Sequence, residues 1–199
     1  MKIKQLYRTV CLLGFGMTGE KVPKEDFLAA LSMAVDTLAA ASPLIEQKII
    51  EKRDVAAYVG GLTAFDCTSY EGKMMYDIAV AESGGAMARV FCYDGRIYVP
   101  SYLVKQTAPL VLRYIRKPSH ADLDSFEANC EVDVTAEAEH LLPYLTAAIV
   151  WADSEPELSA QYREYFNTHI KELCTLGSEK RGMCGIGVTY SSPWLPDAR

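Results

Sequence analysis

The stretch DVTAEAEHLLPYLTAAIVWADSEPELSAQYREYFNTHIKEL, residues 133–173, reads as two amphipathic helices joined by a tight acidic turn. Leu141, Leu145, Ala148, Ile149 and Ala152 recur at helical spacing and define one apolar face. Leu158, Tyr162, Tyr165, Phe166, His169 and Leu173 define a second. Between them, Ser154-Glu155-Pro156-Glu157 is a helix-start signal. The serine can cap, the glutamate three residues on can reach back, and proline fits a first turn whose N–H has no partner anyway. The spacing predicts helices over 136–152 and 155–173. Pro143 then falls two turns inside the first, where it removes a hydrogen bond and bends the axis. A start near His140 instead makes it a first-turn residue.

Upstream, residues 119–132 form a polar link, and 44–118 read as a small antiparallel β insert. Met75–Ala81 and Met87–Tyr93 are predicted strands about the turn Ser83-Gly84-Gly85. Asp94-Gly95 is a two-residue hairpin signal leading into Arg96–Val99. Leu110–Arg116 is closed by Pro118, and Ile45–Ile50 and Tyr58–Phe65 add further strands. Ahead of this insert, Ile3, Leu6, Tyr7, Val10 and Leu13 share a face of a helix over 2–13 that ends near Gly14 and Gly16. Pro23 opens a helix over 23–41 with Glu25 and Asp26 in its first turn and a stripe of Phe27, Leu28, Leu31, Ala34, Val35 and Leu38. The expected fold is α+β and mainly helical: an N-terminal and a C-terminal helix pair forming a bundle, with the β insert between them. One domain covers 1–174, followed by an extended tail over 175–199. Gly177, Gly182, Gly185 and Gly187 oppose a helix in that tail. Ile186, Val188, Tyr190, Trp194 and Leu195 are costly to leave in water, so the tail is expected to dock, on its own body or on a neighbour, and these five residues are the expected partner-docking set.

The 199 residues are half hydrophobic and under a quarter charged, which suits a domain with a substantial core and not a disordered chain. No apolar run is long enough to span a bilayer, and Met1-Lys2-Ile3-Lys4 leads into no secretory signal. Six cysteines at 11, 67, 92, 130, 174 and 184 contain no C-x-x-C pair, so they are expected to be unpaired, with Cys11 and Cys92 acting as small hydrophobes. The net charge is −6 and the basic residues are scattered, apart from Arg113, Arg116 and Lys117. That argues against a protein that grips nucleic acid.

Gly14-Phe-Gly16-Met-Thr-Gly19 matches the dinucleotide-binding pattern, in which glycines let the backbone approach a pyrophosphate. The run before it has helical spacing, Pro23 delays the next helix, and hairpins follow where parallel units are required. The reading kept as an alternative is a nucleotide-binding enzyme using Gly14, Gly16 and Gly19; a helical interaction module is a second. A phosphate loop fails because the lysine is displaced and Val22 stands where Ser or Thr would bind magnesium. His120, His140 and His169 are isolated, and Glu137 and Glu139 suit a helix N-terminus. No catalytic residue, cofactor site or metal site is expected.

The block Val132-Asp133-Val134-Thr-Ala-Glu-Ala-Glu139-His140-Leu141-Leu142-Pro143-Tyr144-Leu145, in this order of elements, resembles the head–tail connector proteins of tailed bacteriophages, also called adaptor or head-completion proteins. The shared pattern is a helical pair, a small β insert and a strand ending in an R-K-P-like step, here Leu112-Arg-Tyr-Ile-Arg-Lys117-Pro118. A polar link and a closing helix pair follow, with an acidic turn like Asp153–Glu157 and an aromatic helix like Tyr162–Phe166. The likeness spans residues 1–173. It implies a non-enzymatic virion protein of the neck, made in the host bacterial cytoplasm. Its partners are other copies in a ring, twelve-fold by expectation, the portal protein, and the downstream neck or tail protein. DNA would pass through the ring without sequence-specific binding, no membrane would be involved, and a C-terminal extension would reach the portal.

Overall fold

A computed structural model describes residues 1–15, 22–66, 68 and 73–183. In chain order the elements are α1 (Ile3–Phe15), α2 (Lys24–Ala41), β1 (Ile45–Ile50), β2 (Val55–Val59), β3 (Leu62–Asp66), β4 (Met74–Ser83), β5 (Ala86–Tyr93), β6 (Arg96–Pro100), α3 (Ser101–Val104), β7 (Leu110–Arg116), α4 (Leu123–Glu127), α5 (Leu142–Val150) and α6 (Pro156–Met183). Among the described residues they divide into two compact units, Met1–Ser42 with Pro118–Ser178, and Pro43–Lys117 with the end of α6 from Glu179.

The first unit is helical because its apolar residues recur every three or four positions. Ile3, Leu6 and Val10 of α1, and Phe27, Leu31 and Leu38 of α2, are buried with Leu141 and Leu142, and with Phe166, Ile170 and Leu173 of α6. Tyr7, Phe27 and Phe126 meet edge to face, with ring centroids 5.1, 5.4 and 6.2 Å apart. The last carbonyls of a helix have no intrahelical donor, and side chains supply one here. Tyr162 Oη donates to the Leu13 carbonyl at 2.6 Å and Ser159 Oγ to that of Ala148 at 2.6 Å, while Trp151 Nε1 reaches the Val10 carbonyl, further inside α1, at 3.4 Å.

Element lengths differ from those expected. α5 starts at Leu142 and not near 136, so Pro143 sits in its first turn and does not bend it. α6 continues to Met183, so residues 175–183 are helical where an extended tail was expected. Its buried stripe runs Phe166, Ile170, Leu173 and Gly177, and packing along that stripe outweighs the roughly 1 kcal/mol propensity cost of a helical glycine. The polar link also holds α4, capped by Asp122, whose carboxylate accepts the Ser125 N–H at 2.8 Å.

The second unit corrects the expected fold class. The protein is a mixed α/β protein and not a mainly helical bundle with a small β insert. Seven strands pair in the order β1-β7-β4-β5-β6-β3-β2, antiparallel throughout, in a sheet curled as a half-barrel. It has its own core of Phe65, Val90, Ile97, Val99, Leu103, Leu110, Leu112 and Tyr114. The expected strand Tyr58–Phe65 is a hairpin, because Gly60 and Gly61 take φ of 53° and 83° and turn the chain between β2 and β3. β1 keeps the bounds expected for it and lies at the sheet edge, so the middle of the chain is one continuous sheet with its own core.

Candidate functional site and interaction surfaces

The expected docking residues Ile186, Val188, Tyr190, Trp194 and Leu195 lie outside the described residues, as do Gly16 and Gly19. Gly14 is described and is buried in α1. A Cβ built on it would come within 1.9 Å of the Trp151 ring. Close packing therefore accounts for this glycine, which sits inside a helix and not in the strand-to-helix turn that a dinucleotide fingerprint requires. The three histidines stand apart. His120 Nε2 pairs with Asp36 Oδ1 at 2.8 Å in an exposed position, His140 is exposed, and His169 Nδ1 lies 2.8 Å from the Tyr165 carbonyl. Among the described residues Cys11, Cys92, Cys130 and Cys174 form no disulfide, and Cys67 and Cys184 lie outside the described residues. Among the described residues no group of three His, Cys, Asp or Glu is arranged to hold a metal ion. Among them, too, no helix is long and apolar enough to cross a membrane.

What stands out is surface. Residues paired directly across an antiparallel sheet share a face. The register therefore lines up Ile49, Val111, Glu82 and Met87 in one row and Gln47, Arg113, Val80 and Arg89 in the next. A third row contains Ile78, Phe91, Tyr98 and Ala64. This face lies opposite the core formed by Ala79, Ala81, Val90 and Leu112. Val80 on this face is buried with Ile115 in a small cluster of its own, and toward β5 the face is exposed and largely apolar, where a solvated sheet face ordinarily shows polar residues. On β5 it exposes Met87 at 45%, Phe91 at 57% and Tyr93 at 75%. On this face Arg113 Nη2 and Glu82 Oε2 form a half-buried ion pair at 2.7 Å, and Arg89 is exposed in the same row as Arg113.

The helical unit presents a surface of the opposite character. From Pro118 to Ser178 there are twelve Asp and Glu against two Lys and Arg. From Pro43 to Lys117 there are eight against ten. The negative charge is thus concentrated on the C-terminal part of the helical unit. Between α2 and α4 runs an open groove of about 590 Å³, floored by Leu28, Ala29 and Leu123 and rimmed by Glu25, Asp122 and Asp124. A smaller cavity of about 170 Å³ shares Ser32 and Ala121 with it and extends toward His120 and Cys130.

α4, which forms one wall, is tied down by charge. Glu127 Oε1 accepts from Lys24 Nζ at 2.6 Å, Lys4 Nζ donates to the Glu127 carbonyl at 2.9 Å, and Lys24 lies 4.9 Å from the centre of the Phe126 ring. Lys24, and then Lys4, hold the Glu127 carboxyl below the usual range. Hydrogen bonds from Ser125 do the same to Asp122. Both stay ionised into mild acid, so the groove wall keeps its charge.

No family model matches the sequence, and a comparison with curated proteins finds no match. The sequence points to the acidic exterior and the C-terminal tail as working surfaces, and not to β5. The signal was present: Ala86-Met-Ala-Arg-Val-Phe-Cys-Tyr93 is apolar at both parities except for one arginine. The groove had no comparable signal, because its walls are far apart in the chain.

Proposed function

We propose that this protein is a structural subunit of the neck of a tailed bacteriophage. Copies form a ring, twelve-fold by expectation, that joins the portal to the next neck or tail component and extends the DNA channel. It works by shape and charge, without catalysis. The observation that carries this reading is the outer face of the sheet. A monomer in water seldom leaves Met87, Phe91 and Tyr93 exposed on one face of a strand unless a partner covers them. The concentration of acidic residues between Pro118 and Ser178 also supports it. Repeated around a ring, such a surface repels phosphates and lets DNA pass without adhesion. The resemblance of the Val132–Leu145 block and the closing helix pair to head–tail connectors gives the assembly its proposed location.

Purified virions test the proposal. Mass spectrometry of intact particles should find this chain at many copies per particle. Particles made without it should contain filled heads that fail to join tails. Virions lacking the chain, or complete infectious virions made in its absence, contradict the proposal.

A further inference from the structure

We propose that the exposed β5 face of one copy seats in the acidic groove between α2 and α4 of a second copy. The inference rests on the ring reading above in requiring neighbouring copies, and it names the two surfaces that meet.

Each surface supplies what the other lacks. The β5 face carries three exposed large apolar side chains, Met87, Phe91 and Tyr93, with Arg89 among them and Arg96 directly across from Tyr93. The groove has an apolar floor at Ala29 and Leu123, the latter 47% exposed, inside a rim of Glu25, Asp122 and Asp124. Aromatic and aliphatic anchors on an open floor, with arginines at carboxylates around the edge, make a contact with an apolar centre and a charged rim. The charge totals agree, since residues 43–117 have two more basic than acidic residues and the segment holding the groove wall is strongly acidic. Knob and groove are different patches, so the contact is head-to-tail. Such an interface propagates from copy to copy and closes into a ring when the rotation per step allows. A self-complementary patch would stop at a dimer.

The test uses the full chain. One variant blocks the knob, Phe91→Glu with Tyr93→Glu. Another blocks the groove, Ala29→Arg with Leu123→Arg. All four positions are exposed, so both variants should keep the wild-type circular dichroism spectrum and melting temperature. In sedimentation runs each variant alone should self-associate about thirty-fold or more weakly than wild type. Their equimolar mixture should give one-to-one dimers and nothing larger, because one intact knob still meets one intact groove.

A photoreactive phenylalanine analogue at position 91, in a mixture of heavy-isotope and ordinary chains, checks the site directly. Heavy-to-light adducts on peptides carrying Ala29 or Leu123 are expected. Adducts confined to single chains, adducts elsewhere in the second copy, a mixture that stays monomeric, or wild-type protein that never associates each overturn the docking. Electron micrographs of the wild type separate this from the parent reading. Closed rings cross-linked elsewhere leave the ring and remove the docking. Open chains or dimers cross-linked at the groove leave the docking and remove the ring.

Discussion

Gly14 shows how one missing side chain can be structural. Alanine is the better helix former by about 1 kcal/mol, so propensity alone favours Gly14→Ala. The added methyl would lie 1.9 Å from the Trp151 ring, and that overlap decides the sign. Gly14→Ala should lose about 1–3 kcal/mol, as overpacking does. Combined with Trp151→Ala it should cost less than the two single changes summed, which chemical denaturation of the four proteins measures. Leu145 tests the opposite error, a cavity. It is buried in the core of the helical unit, and Leu145→Ala should cost about 2–5 kcal/mol. An unchanged melting temperature contradicts that placement.

At the scale of an element, α4 depends on two carboxylates. Asp122 caps its first turn, and Glu127 fastens its last residue to Lys24 and Lys4. Both carboxyls titrate below their ordinary values, so their contribution is present above the ordinary carboxylate range and is lost as pH falls through the lowered folded values. α4 should therefore loosen on acidification. Hydrogen exchange at the Ser125 and Phe126 amides, corrected for intrinsic rate, should quicken below that range. The same acceleration should appear near neutral pH in Asp122→Ala. Protection unchanged down to the acid midpoint of global unfolding contradicts this account. The segment also marks a limit of periodicity. α1, α2 and α6 were legible because long apolar stripes repeat, whereas α4 has only five residues and a polar surround. The bounds of α5 were uncertain until the turns over 136–141 put Pro143 in its first turn.

For the whole molecule, charge and the C-terminus give two expectations. With net charge −6 and an excess of acidic over basic residues between Pro118 and Ser178, the free protein should not shift duplex DNA in a gel at moderate salt. A salt-sensitive shift contradicts passage without adhesion. Deleting residues 182–199 spares the buried stripe of α6 through Gly177, so the melting temperature should hold while incorporation into particles is lost. Truncated protein found in virions removes the idea of a docking tail.

The sequence by itself determined the helical faces, the turn at Ser154–Glu157, the hairpin at Asp94-Gly95 and the excess of acidic residues. Each is written in neighbouring residues, through period, cap or turn chemistry. Only the tertiary structure decided that the middle of the chain is a seven-stranded sheet with its own core. The same holds for the apolar outer face, where Met87, Phe91 and Tyr93 join residues of other strands through the register, and for the acidic α2–α4 groove. Strand order, register and a groove between distant segments are long-range pairings. No local pattern of residues encodes which strand or helix will lie alongside.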